Sequence, residues 1–93
     1  MDLKLSGRRA LVTGASQGLG RAVAAALATE GAKVAICGRD AARIEAARSQ
    51  IGATAGLVAE LGQPGAVDTL LAASHNALGG APEVLVINTG GPP

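Results

Sequence analysis

Thr13-Gly14-Ala15-Ser16-Gln17-Gly18-Leu19-Gly20 lies between the apolar stretch Arg9-Ala10-Leu11-Val12 and the alanine-rich stretch from Ala22 to Ala28. A glycine turn therefore joins an apparent strand to an apparent helix. A side chain at Gly14 or Gly18 would hold the backbone away from an approaching phosphate, and one at Gly20 would keep the helix off the strand. The amides of the helix start then face the anion, and the helix dipole adds attraction. This arrangement fits the pyrophosphate of a dinucleotide; a purely structural glycine turn is the alternative. Context weighs more than the glycines themselves, because 14 of the 93 residues are Gly and chance matches are easy. Here a strand precedes the turn, a helix follows it, and a second strand, Lys33–Cys37, arrives at the distance a βαβ unit requires. A phosphate loop of the nucleotide-hydrolase kind is excluded, since Arg21 and Ala22 follow Gly20 where Lys and Ser/Thr would be needed.

Working outward, four short apolar runs read as strands, at about Arg9–Thr13, Lys33–Cys37, Ala55–Ala59 and Val84–Asn88. Three helical patterns lie between them. The first, about Gly18 to Glu30, sets Leu19, Val23, Ala26, Leu27 and Glu30 along one face before Gly31 ends it. The second follows Asp40, a fitting N-cap, and carries Ile44, Ala47 and Ile51 on one side. The third opens with Pro64 in its first turn and aligns Val67, Leu70, Leu71, Ser74 and Leu78 before Gly79-Gly80 stops it. Strands alternating with amphipathic helices predict an α/β fold, a Rossmann-like half-fold of βαβαβαβ parallel topology with strand order 3-2-1-4, truncated after the fourth strand. The first and fourth strands are then neighbours whose connections leave in opposite directions, so Gly14–Gly20 and Asn88–Gly91 flank one crevice. Residues 1–93 read as the N-terminal part of a single dinucleotide-binding domain, with no internal repeat, low-complexity tract or linker.

Composition narrows the function class. Hydrophobic residues make up 48% of the chain, yet Phe, Trp and Tyr are absent, so Ala, Val, Leu and Ile must fill a thin core. The net charge of +1, with both signs interspersed, argues against a nucleic-acid or membrane-surface protein. Arg8-Arg9 reads as a solvated strand entry. Cys37, the single cysteine, has no internal disulfide partner and reads as a buried thiol with no chemical task, which fits a cytoplasmic setting. The first residues lack an apolar core of signal-peptide length, and the longest apolar run is too short to cross a bilayer.

Thr-Gly-x-x-x-Gly-x-Gly at Thr13–Gly20, an Arg just after the second strand, an acidic residue closing the third and Asn-x-Gly closing the fourth together resemble the short-chain dehydrogenase/reductase family. The spacing is similar to its short-chain branch rather than the extended one, over about Leu5 to Gly91. The resemblance implies cofactor contacts at Gly14, Ser16, Gly18, Leu19 and Gly20, with side-chain hydrogen bonds from Ser16 and Gln17; Ser16 as a plain helix cap fits the same pattern. Users of NAD in the family carry an Asp after the second strand that grips both ribose hydroxyls. This chain has Gly38 and then Arg39, whose guanidinium could hold a 2′-phosphate through two parallel hydrogen bonds. NADP is therefore expected in preference to NAD, with a solvated Arg39 or an inward-turned Asp40 as the competing readings. Glu60 stands where the family has Asp to accept from the adenine amine, with the Leu61 amide beside it. Leu85-Val86-Ile87-Asn88-Thr89-Gly90 resembles Leu-Val-Asn-Asn-Ala-Gly, which implies that Asn88 and Gly90 border the cofactor. Ile87, in place of the first Asn, suggests a more buried or differently bonded strand.

The family's catalytic Tyr, Lys and Ser lie beyond the fourth strand, and this chain has no Tyr and only Lys4 and Lys33. His75 reads as a surface imidazole, not a substitute acid. No catalytic residue is assigned. The chain reads as the cofactor-binding portion of an NAD(P)-dependent oxidoreductase that moves hydride between NADP(H) and a carbonyl or alcohol, and is not expected to turn over alone. A non-catalytic nucleotide-binding or oligomerising module is the alternative. An unpaired fourth-strand edge and a half-bare sheet face further predict marginal stability or self-association.

Overall fold

The computed structural model describes residues 5–88. Its elements run β1 (Arg9–Val12), α1 (Gly18–Thr29), β2 (Lys33–Gly38), α2 (Ala41–Ile51), β3 (Ala55–Val58), α3 (Ala66–Leu78) and β4 (Val84–Val86). The strands form one sheet in the order β3-β2-β1-β4, and every neighbouring pair is parallel. The expected topology and strand order are thus observed. Alternate residues of β1 and β2 face opposite sides. Ala10, Val12, Val34 and Ile36 pack with Ala24 of α1 and Ile44 and Ala47 of α2. Leu11, Ala35 and Cys37 face the other side, against Leu70 and Leu78 of α3. Two helices on one face and one on the other follow from the reversal in strand order after β3.

Three local expectations are corrected. Helix α1 does not bury Leu19 and Ala26, which are exposed; it buries Gly20 and Ala24, with Leu27 and Ala28 packed beside them. The stripe is rotated by about one residue, near 100°, because the smallest side chains let the helix lie closest to β1. Helix α3 begins at Ala66, after a left-handed Gly65 (φ +77°), so Pro64 precedes its first turn. Of the expected stripe, Leu70, Ser74 and Leu78 are buried, with the Ser74 hydroxyl donating to the Leu71 carbonyl at 2.8 Å, while Val67 and Leu71 are exposed. Finally, β4 stops at Val86 and Ile87 is exposed, not more buried than its neighbours.

Arg8 and Arg9 do more than enter a strand. Arg8 Nη1 meets Glu83 Oε2 at 2.7 Å, Glu83 Oε1 accepts from the Arg9 amide at 3.2 Å, and Arg9 Nε donates to the Ala81 carbonyl at 2.7 Å. These contacts fasten the α3–β4 connection to the start of β1. The hydrogen bond from Arg8, with the Arg9 amide adding to it, holds the Glu83 carboxyl below its usual range. A depressed carboxylate stabilises the fold above its unfolded pKa, about 4.3, and that contribution is lost as pH falls through the lower folded value. Glu83→Gln is accordingly expected to lower Tm at neutral pH and to flatten the fall in Tm on acidification below about pH 4.3. Thermal melts across that range check it, and an unchanged profile would contradict it.

Candidate functional site

The turns after β1, β2 and β3 and the end of β4 open on one side of the sheet, at the carboxyl ends of parallel strands. Together they enclose a cleft of about 1030 Å³, at or above the usual upper size of small-molecule sites, about 1,000 Å³. Gly14, Ser16 and Gln17 line it from the first turn, Cys37 to Asp40 with Arg43 from the second, Ala59 to Gly62 from the third, and Asn88 from beside Gly14.

The glycine turn is shaped by local backbone demands. Gly14 (φ +60°) and Gly18 (φ +65°) both adopt the left-handed region that other residues avoid. Gly20 is different: its φ is ordinary, but a Cβ there would lie 2.3 Å from the Gly14 carbonyl oxygen and 2.7 Å from Asn88 Nδ2. The N-cap of α1 is Gln17, not Ser16, and makes no side-chain hydrogen bond; no acidic residue occupies the first turn. The helix start therefore meets the cleft with its dipole uncompensated by any carboxylate of that turn.

At the opposite wall the charges are arranged in pairs. Asp40 caps α2, its Oδ1 accepting from the Arg43 amide at 3.1 Å, so this carboxylate is committed to the helix. Arg39 Nη1 faces Glu60 Oε2 at 3.8 Å, and Glu60 Oε1 accepts from the Gly62 amide at 3.4 Å. Cys37 is buried beneath them, and burial pushes its thiol above the ordinary value. Among the described residues no group of His, Cys, Asp and Glu is placed to hold a metal ion.

The cleft brings together Gly14, Ser16, Gln17, Arg39, Glu60, Leu61 and Asn88. Gly18, Leu19 and Gly20 sit at the adjoining helix start and do not line it; Gly90 lies outside the described residues. His75 is on α3, at the rim of a separate apolar cleft of about 590 Å³. Two residues escaped the sequence reading. Arg43 lines the cleft one helical turn beyond Arg39 and Asp40, a position visible in principle once Asp40 is taken as the N-cap. Thr13 is buried, and its hydroxyl accepts from the Asn88 amide at 2.9 Å and donates to the Asn88 carbonyl at 3.1 Å. That exchange ends the β1–β4 ladder and brings Asn88 Nδ2 to 3.4 Å from the Gly14 carbonyl.

The family profile described as short chain dehydrogenase matches residues 8–93. The chain belongs to the short chain dehydrogenase family. Within the family, it is 38% identical over 92 residues to a glucose 1-dehydrogenase of Gluconobacter oxydans, covering 94% of this chain and 34% of that protein. A short chain dehydrogenase of Burkholderia cenocepacia, solved in complex with NADP, superposes with a TM-score of 0.78 at 40% identity, over 87% of this chain and 35% of that one. A dehydrogenase/reductase of Sinorhizobium meliloti gives 0.82 at 38% identity, over 90% and 35%. The chain thus spans about a third of the length of these family members, and the matched third is the one that carries the glycine turn.

Proposed function

We propose that residues 1–93 form the N-terminal, cofactor-binding part of a single Rossmann-type domain in an NADP-dependent oxidoreductase. The reaction is hydride transfer between NADP(H) and a carbonyl or alcohol. The observation that carries the choice of NADP is at the end of β2. Gly38 is followed by Arg39, Asp40 is engaged as the α2 cap, and both Arg39 and Arg43 line the cleft. A 2′-phosphate meets two guanidiniums there, and no uncommitted carboxylate follows β2 to grip a ribose diol. The donor set and the cleft size fit a phosphorylated dinucleotide, as does the NADP complex of the Burkholderia relative.

In this reading the turn Gly14 to Gly20 holds the pyrophosphate through backbone amides at the α1 start, with Ser16 and Gln17 adding side-chain donors. Leu61 borders the adenine, Arg39 and Arg43 neutralise the 2′-phosphate, and Asn88 with Gly90 borders the cofactor. The bound dinucleotide supplies the hydride; this chain's residues bind and orient it. No observation favours a non-catalytic module over this reading. A cytoplasmic location is part of the proposal, supported by the lone free Cys37; no helix among the described residues is long and apolar enough to cross a membrane.

Calorimetric titration with NADP and then NAD tests it, since a chain without Trp offers no intrinsic indole signal. Hydrogen bonds to charged groups contribute about 1.5–3 kcal/mol, so Arg39→Ala is expected to weaken NADP roughly 10- to 100-fold and to leave NAD nearly unchanged. Tighter binding of NAD by the parent chain, or indifference of NADP to Arg39→Ala, would overturn the assignment.

We further propose that the 93-residue chain on its own self-associates through the β4 edge and the face beside α3. Leu85, Ile87, Val67 and Leu71 are exposed there, and parallel sheets are ordinarily covered on both faces. Sedimentation should give a mass that rises with concentration; a monomer throughout would contradict it.

A further inference from the structure

Two arginine–carboxylate pairs lie on the wall of the cleft, and they are not equivalent. Arg43 Nε is 4.0 Å from Asp40 Oδ2 within one turn of α2, and Asp40 is anchored there by its capping hydrogen bond. Arg39 and Glu60 instead meet across two loops, the first leaving β2 and the second leaving β3, with Nη1 and Oε2 3.8 Å apart. Their side chains are 77% and 51% exposed, so water screens the attraction and the two arms can part at small cost.

We propose that Glu60 is the resident counter-ion of Arg39 and thereby a specificity-determining residue, setting how far the cleft prefers a 2′-phosphate over a 2′-hydroxyl. The inference rests on the reading that Arg39 receives the 2′-phosphate. A phosphate dianion arriving at Arg39 must displace the Glu60 carboxylate and then remain beside a charge of its own sign. A dinucleotide ending in a hydroxyl leaves the Arg39–Glu60 pair intact. Glu60 thus penalises the phosphorylated cofactor alone, and holds the preference for it below what Arg39 and Arg43 would give unopposed. Charges about 4 Å apart in water-like surroundings correspond to roughly a fivefold effect on binding.

The experiment is a double-mutant cycle on the full encoded chain: parent, Glu60→Gln, Arg39→Ala and the double variant, each titrated calorimetrically with NADP and with NAD. Glu60→Gln is expected to tighten NADP about three- to tenfold at low salt and to leave NAD within about twofold. The gain should shrink at high salt, where exposed charges are screened, and be smaller when Arg39 is already alanine, because only the like-charge repulsion then remains to be relieved. A merely structural role for Glu60 would move both cofactors alike. Equal weakening of NADP and NAD, which an adenine contact through the Glu60 carboxylate would produce, overturns the inference. So does a change of the same size with and without Arg39. If Arg39→Ala weakens NADP while Glu60→Gln does nothing, only the role of Glu60 fails. If the parent does not prefer NADP, or Arg39→Ala is silent, the 2′-phosphate reading fails and the role of Glu60 falls with it.

Discussion

Gly20→Ala is expected to destabilise the fold by about 3 kcal/mol, the upper end of the usual range for overpacking, and to abolish dinucleotide binding with it. Alanine is otherwise the better helix former by about 1 kcal/mol, so propensity alone would predict stabilisation. Packing reverses the sign. The added Cβ would lie 2.3 Å from the Gly14 carbonyl oxygen and 2.9 Å from its carbon, both backbone atoms with no rotamer to yield. Relief requires α1 to lift away from β1, which carries the helix start out of the cleft and opens the contact between Ala24 and the sheet. Gly18→Ala is the control. Nothing lies within 4 Å of its Cβ, but φ is +65°, so the cost is left-handed strain of about 1–2 kcal/mol without displacement of the helix. Urea titration of the two variants compares them directly. A Gly20→Ala protein as stable as the parent would contradict the close approach of helix and turn as the source of the cost.

Thr13→Val is expected to cost about 1–3 kcal/mol and to weaken cofactor binding although Thr13 does not line the cleft. The replacement keeps the branched shape and removes the hydroxyl, so two hydrogen bonds with Asn88 vanish, one donated by its amide and one accepted by its carbonyl. Thr13 is 1% exposed and Asn88 half-buried, so water does not readily take over both partners. Asn88 would then lose the register that sets its side-chain amide against the Gly14 carbonyl. Thr13→Ser, which retains the hydroxyl, should restore most of the binding. Equal loss in the Ser and Val variants would show that the hydroxyl alone does not carry the effect, since Ser retains it. Thermal melts with calorimetric titration separate the two contributions.

Much of the architecture was legible because it depends on local chemistry. The residues that adopt positive φ in the β1–α1 turn are glycines, and the helices begin and end where Asp40, Gly31 and Gly79 permit. Apolar runs of strand length alternate with helical spacing, and right-handed crossovers leave little choice of strand order. The resemblance carried by Thr13–Gly20, Arg39, Glu60 and Asn88 extended that reading to the family, as the match over residues 8–93 shows.

Other features were decided by what lies next to what in three dimensions. The apolar pattern of α1 favours a face bearing Leu19 and Ala26, yet close packing on β1 selects the smallest residues, Gly20 and Ala24. In α3 the apolar stripe is wider than the strip of helix surface that meets the sheet, so Val67 and Leu71 remain exposed while Leu70 and Leu78 are buried. Glu83 with Arg8, Glu60 with Arg39 and Thr13 with Asn88 are partners that sequence separation conceals, since none shares a helix turn or a strand. Sequence by itself determined the order of the elements, the sheet topology and the place of the glycine turn, because backbone freedom and hydrophobic period act over a few residues. Only the tertiary structure decided which helix face is buried, where Asn88 sits and which carboxylate faces Arg39, because those depend on distances between segments that the chain brings together only on folding.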